Sequence, residues 1–199
     1  MTTQLHKAPN ERPLGRNQQI SLNVKNATIQ ILMSADAEEL TFEKVAQQAG
    51  VNRSTLYRRW QSKDRLITWA LLEHQRQKLP PIDTGSVEDD FVTLILELDK
   101  QLSEPIGKHF IRFSVSAGMN NLDASEALAD FWSERTKGAT YYITRAMDRG
   151  EIKPDIDTYF LLEQIFGAYY FRHVRGVQGR IDKKQVQKYV HYALLPVLN

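Results

Sequence analysis

The sequence predicts an all-α protein. Apolar residues recur three and four positions apart in every long segment, which is the spacing of one helix face. Ser, Thr, Asp or Asn stand just before these segments, and Gly or Pro just after them, as at helix starts and stops. No stretch alternates apolar and polar residues convincingly enough to read as a strand.

Residues 1–16 contain Pro9, Pro13 and Gly15 and few apolar side chains, so they read as a flexible arm. His6, Lys7, Arg12 and Arg16 make it basic, suited to phosphates or a minor groove, although a plain floppy terminus is the better reading of residues 1–10. A first helix is expected from about Asn17 to Ala37, burying Ile20, Val24, Ala27, Ile31 and Leu32. Thr41 is the N-cap of a short helix with Phe42, Val45, Ala46 and Ala49 inward. Gly50 ends it, where a left-handed backbone costs a glycine nothing. Val51 packs inward, Asn52 caps a second short helix, and Leu56 and Trp60, four apart, face its core. Ser62 caps a third helix through Leu66, Trp69, Ala70 and Leu72, stopping before Pro80 because proline disfavours helix at Leu79. Pro80 to Gly85 reads as a linker, dividing the chain into domains at 17–79 and 80–199.

Beyond the linker, Ser86 with Asp89 opens a helix carrying Val87, Phe91, Leu94, Ile95, Leu98 and Leu102. The acidic run Glu88-Asp89-Asp90 suits the positive end of that helix dipole. Pro105 starts the next helix, through Phe110, Ile111, Val115 and Met119. Asp123 with Glu126 reads as the cap of a long helix that stops at Gly150, with Pro154 following. Asp157 opens a helix rich in Leu, Ile, Phe and Tyr, and Asp182 opens a last one through Val197.

The second short helix carries Arg53, Ser54, Thr55, Tyr57, Arg58 and Arg59 within seven positions. Cations neutralise phosphate, and Arg also pairs with guanine edges in the major groove. Two short helices joined by a Gly-containing turn form a helix-turn-helix, whose second helix enters that groove. A solvated basic face on an ordinary helical hairpin is the alternative. Cap, glycine, apolar and basic positions all agree with the DNA-reading pattern.

The run TFEKVAQQAGVNRSTLYRRWQSKDRL resembles the DNA-binding domain of TetR-type transcriptional regulators. The matching positions are Thr41, Val45-Ala46, Ala49-Gly50-Val51, Thr55-Leu56-Tyr57, Trp60, Ser62-Lys63-Asp64 and Leu66. The chain departs from the pattern at Asn52 (usually Ser), Arg59 (commonly His or Tyr) and Trp60 (commonly Phe); Asp36-Ala37-Glu38-Glu39 replaces a usual glycine. The stretch GEIKPDID and the apolar helix after it resemble one group of TetR C-terminal domains. The resemblance implies an N-terminal three-helix DNA-binding domain with a helix-turn-helix and a C-terminal helical ligand-binding and dimerisation domain. Thr41, Asn52, Arg53, Ser54, Thr55, Tyr57, Arg58, Arg59 and Lys63 are then the expected DNA contacts. Arg58, beside Thr55 and Ser54, is placed to reach a base edge, Arg53 to reach either base or phosphate, and Thr41, Tyr57 and Lys63 to reach the backbone.

Composition agrees. The chain has 199 residues, 42% hydrophobic, and no cysteine, which excludes disulfides, a thiolate nucleophile and Cys-based zinc sites. The N-terminus has no apolar signal-peptide core and no stretch approaches membrane-span length, so a cytoplasmic protein is expected. Net charge is +2, yet residues 1–65 hold ten Lys+Arg against six Asp+Glu, while the remainder is mildly acidic. That asymmetry fits one end meeting phosphate.

On the Asp157 helix, Leu161, Ile165 and Tyr169 form one apolar stripe and Leu162, Phe166 and Tyr170 another. One small domain needs a single such face, so the surplus suggests a homodimer. Leu161, Ile165, Tyr169, Val186, Tyr189, Val190, Ala193 and Val197 are its expected interface. Burial of both stripes within one chain is the alternative. Two-fold symmetry sets recognition helices roughly 34 Å apart on a pseudo-palindromic operator.

The family implies a small-molecule effector. Phe110, Phe113, Phe131, Trp132, Arg135, Tyr142, Phe166 and Tyr170 are its candidate pocket, with Arg112, Arg172 and His173 as further polar anchors. An aromatic stripe at helical spacing is also what a plain core looks like. No Gly-rich phosphate loop, nucleophile elbow or His-based metal motif is present, so neither enzyme chemistry nor a cofactor is expected. Two function classes remain: a ligand-responsive DNA-binding repressor, or a helical small-molecule binding or interaction protein without specific DNA recognition.

Overall fold

Helix caps set three of the first four elements in this computed structural model, which describes residues 15–34, 39–76, 82–120, 122–177 and 179–199 (backbone only for 117–120, 122 and 123). Helix α1 spans Arg16–Ser34, α2 Phe42–Ala49, α3 Arg53–Trp60 and α4 Lys63–Gln75. Thr41 accepts from the Lys44 amide, Asn52 from the Ser54 amide and Ser62 from the Arg65 amide, each satisfying a first-turn donor. Gly50 has φ 66°, and the Gly50 and Val51 amides donate back to Gln47 and Ala46 carbonyls, closing α2 with a Schellman turn. Val24, Val45, Leu56 and Leu66 are fully buried where these helices meet. Burying a leucine like Leu56 contributes about 2 kcal/mol.

The second group comprises α5 (Val87–Ser103), α6 (Pro105–Asn120), α7 (Leu122–Asp148), α8 (Thr158–Val174) and α9 (Lys183–Leu194). Among the described residues there is no strand, only an isolated bridge between Ile152 and Leu198. Helix α5 lies at the centre, packed against α6, α7, α8 and α9, with Phe91 and Ile95 fully buried. Its first free amide, Val87 N–H, donates to the Glu151 carboxylate at 2.6 Å. Helix α4 leaves the first group and packs on α6 and α7, so it belongs to both.

Several expectations are corrected. Helix α4 ends at Gln75 rather than near Leu79; the Gln75 carbonyl is claimed by Arg135 of α7, and Arg76 forms the turn. Residues 35–37 of the expected first helix, the Leu79 boundary and most of the basic arm lie outside the described residues. Helix α7 begins at Leu122, so Asp123 sits in its first turn rather than at its cap. Acidic residues favour both positions, which is why the sequence signal misplaced the start. The last helix ends at Leu194, short of Val197.

Asp90 departs from its neighbours in the acidic run. It is fully buried, with Arg145 Nη2 at 2.6 Å and the Thr84 amide and hydroxyl donating at 2.7 and 2.8 Å. Burial works against its charge. The Thr84 donors and the Arg145 guanidinium outweigh that and hold the carboxyl below its usual value.

The expected interface stripe also proves internal. Leu161, Ile165, Tyr169, Val186 and Val190 are buried within their own chain, because α8 lies among α5, α6, α7 and α9 and so has partners for both stripes. Tyr189, Ala193 and Val197 are half-buried against the same core. The apolar side chains left outside are Tyr159, Phe160, Phe171 and Val174 on α8, and Tyr192 and Leu195 at α9, each more than half exposed.

Candidate nucleic-acid interface and ligand cavity

Helix α3 is pinned from behind. Leu56 is fully buried, and the Trp60 ring lies 4.7 Å from that of Trp69 on α4. Tyr57 packs edge-on against Phe42, with ring centroids 4.4 Å apart. The opposite side presents Arg53, Ser54, Arg58 and Arg59 to solvent, with Thr55 half-buried beside them. Ser54 is fixed at the helix start, its hydroxyl donating to Asn52 Oδ1 at 2.8 Å. Arg53 is engaged: Nη2 donates to the Tyr57 hydroxyl at 2.8 Å, and Nη1 lies 2.5 Å from the Glu43 carboxylate. Arg59 lies over the Trp60 ring at 5.2 Å. Arg58, by contrast, is exposed and has no hydrogen-bond or ion-pair partner among the described residues. Thr41 and Lys63 flank this surface at the starts of α2 and α4.

A cavity of about 750 Å³ opens between the end of α4 and helices α5, α7 and α8. Phe131, Trp132, Arg135, Tyr142, Phe166 and Tyr170 all line it. Phe110 does not; it is buried behind Phe131 and Trp132 at ring distances of 5.4 and 6.0 Å. Phe113 packs elsewhere against the core. Leu94, Leu98 and Leu162 complete the apolar walls, and Arg76, Glu134 and Glu163 also line the cavity. Sequence reasoning missed these because a leucine on an inward face looks the same whether it meets a neighbour or a void. Burial pushes the Tyr170 phenol up to about 12, with Arg135 opposing, so it stays a neutral donor at physiological pH. Burial also lowers Arg135 from its ordinary value.

The remaining anchors lie outside the cavity. Arg112 is exposed, and Arg172 donates to the Val177 and Gly179 carbonyls. His173 Nε2 stands 3.9 Å from the buried Asp99 carboxylate. Among the described residues no group of His, Asp or Glu is disposed to hold a metal ion.

The family model for bacterial regulatory proteins of the tetR family matches residues 26–68, and that for the tetracyclin repressor-like C-terminal domain matches residues 81–193. The chain belongs to the TetR family. It is therefore a DNA-binding transcriptional regulator, with the TetR helix-turn-helix formed by α2 and α3. It is 36% identical over 148 residues to the HTH-type transcriptional regulator AqdR of Rhodococcus erythropolis, covering 74% of this chain and 70% of that one. An uncharacterised HTH-type regulator of Mycobacterium tuberculosis H37Rv is 30% identical over 177 residues, covering 86% and 84%. Among solved structures, the TetR family transcription regulator SCO0332 superposes with a TM-score of 0.73 at 26% identity, covering 88% of this chain and 97% of that one. Salmonella enterica GusR shares the fold, with a TM-score of 0.72 at 16% identity over 92% and 98% of the two chains. TetR regulators bind DNA and typically dimerise. Among the described residues no helix is long and apolar enough to cross a membrane.

Proposed function

We propose that this TetR regulator is a cytoplasmic homodimeric repressor, released from a pseudo-palindromic operator when a small molecule occupies the cavity. The observation that carries the reading is the double membership of α4: Ser62 and Lys63 at its start adjoin the recognition helix, while Gln75 and Arg76 at its end adjoin the cavity. A ligand that tilts α4 carries Arg53 to Arg59 out of register with the DNA. Residues 17–79 then act as the reading head, 80–199 as effector and dimer domain, and 1–16 as a basic arm.

In this reading Arg58, Thr55 and Ser54 reach base edges, and Thr41, Asn52, Tyr57, Arg59 and Lys63 fix the head on phosphates. The exposed apolar side chains Phe160, Phe171, Val174, Tyr192 and Leu195 form the surface a second copy covers. The protein regulates rather than catalyses, in keeping with its family. A mobility-shift assay with the DNA flanking its own gene tests the proposal, alongside the mass in solution by light scattering. Retardation of that DNA well beyond random sequence, by a dimer, is expected. Equal affinity for both DNAs would favour a helical binding protein without specific recognition.

A further inference from the structure

We propose that the cavity selects a flat aromatic ligand bearing a carboxylate or similar anionic oxygen, which takes Arg135 away from the end of α4. The inference rests on the effector reading above and specifies its chemistry and its trigger.

Arg135 is the anomaly in the cavity wall. Its guanidinium is half-buried, and burial lowers its pKa, so the charge is under-compensated. Among the described residues no carboxylate lies within ion-pair distance of it. Among the described residues it has a single hydrogen bond, from Nη2 to the Gln75 carbonyl at 2.5 Å, and it lies 5.3 Å from the Phe131 ring centroid. A neutral carbonyl is a weaker partner for a desolvated cation than a carboxylate, which binds the guanidinium fork with two parallel bonds. The neutral Tyr170 hydroxyl supplies a second donor, and Trp132 and Phe166 supply flat walls. The acidic groups do not compete. Glu134 pairs with Arg76 at 3.4 Å, and Glu163 is exposed, so water already solvates it. A cationic ligand therefore gains little at Glu163, while an anion relieves a buried charge at Arg135.

The same exchange transmits the signal. Gln75 is the last residue of α4, and its carbonyl is among those a helix end leaves without a partner. Arg135 caps it from across the cavity, with Gln75 almost fully buried. A ligand that takes the guanidinium uncaps α4 at its cavity end and frees the helix to tilt. The coupling is no larger than the difference in ligand affinity between the capped and uncapped states.

The test titrates the full chain with 1-pyrenebutyrate, 1-pyrenebutanol and 1-pyrenemethylammonium, reading quenching of tryptophan fluorescence. The native protein is expected to bind the acid at least about tenfold tighter than the alcohol or the cation, as for one charge-assisted contact. In Arg135→Gln the acid and alcohol should bind alike, with alcohol affinity retained as evidence that the cavity is intact; Arg135→Lys should restore part of the preference. Hydrogen exchange at the α4 amides near Arg76 should quicken with the acid and not with the alcohol. Equal binding of acid and alcohol by the native protein, a preference that survives Arg135→Gln, or unchanged exchange would each overturn the proposal while leaving a ligand cavity in place. Failure of all three probes to bind would instead remove the effector reading, and this inference with it.

Discussion

Arg53 Nη1 lies 2.5 Å from the Glu43 carboxylate, so the first cation of the recognition helix is paired with the helix before it. Both side chains are about half exposed, and the pair is weak in water. Glu43→Gln releases Arg53 and removes a negative charge that repels phosphate. The variant should bind both operator and random DNA a few-fold more tightly, with its specificity ratio reduced. Unchanged affinity at low salt would show that DNA already displaces Glu43 without cost.

Among the described residues Arg58 has no partner, and it stands beside Thr55 on the same surface. Replacing it by alanine should cost about 1–3 kcal/mol on the operator and much less on random DNA. Binding curves on the two DNAs, at one salt concentration, separate the roles. Matching losses would reduce Arg58 to a phosphate contact.

Gln61 joins α3 to α4 with φ 60° and ψ −42°, a conformation L residues rarely adopt. Such strain costs about 1–3 kcal/mol. Gln61→Gly should therefore melt at or above the native temperature, although glycine loses more entropy on folding. Gln61→Val should be clearly less stable than native. If the two variants melt together below native, the side chain matters there and the backbone does not.

Asp90 links the linker residue Thr84 to Arg145 of α7 inside the second helical group. Asp90→Ala leaves buried donors unpaired and should cost about 2 kcal/mol in urea unfolding. Its folded pKa lies below the usual 3.8, so the unfolded chain takes up the proton first. The carboxylate's contribution is whole at neutral pH and is lost as pH falls from about 4 downward. Stability between pH 4 and pH 2 should fall less steeply in Asp90→Asn. Parallel slopes would disprove the assignment.

His173 titrates with the same outward sign through a different balance. Burial lowers its pKa from 6.5; Asp99 opposes that, and Arg172 and Lys108 reinforce it. The unfolded chain binds the proton more readily, so the contribution is complete above about pH 6.5 and declines as pH falls through the lower folded value. Melting temperature should drop between pH 7.5 and 5.5, and His173→Gln should flatten that drop. A profile left unchanged by the substitution would place the titration elsewhere.

The local parts of this protein were legible in the sequence. Thr41, Asn52, Ser62, Ser86, Asp157 and Asp182 each cap the helix expected of them, because a cap is decided within three residues. The Gly50 turn and the outward basic face of α3 follow from the same short range. Partnership across the fold was not legible. Periodicity marked the Leu161, Ile165 and Tyr169 stripe as apolar, but only the arrangement of α5, α6, α7 and α9 around α8 made it core and left Phe160 and Phe171 outside. Asp90 shares its run with Glu88 and Asp89 and differs from them because Thr84 and, from α7, Arg145 meet it. The cavity is likewise a tertiary fact. Phe110 and Phe131 are equal in sequence, yet one is backed by neighbours and the other by space, since packing of distant helices, not residue type, decides where a void remains.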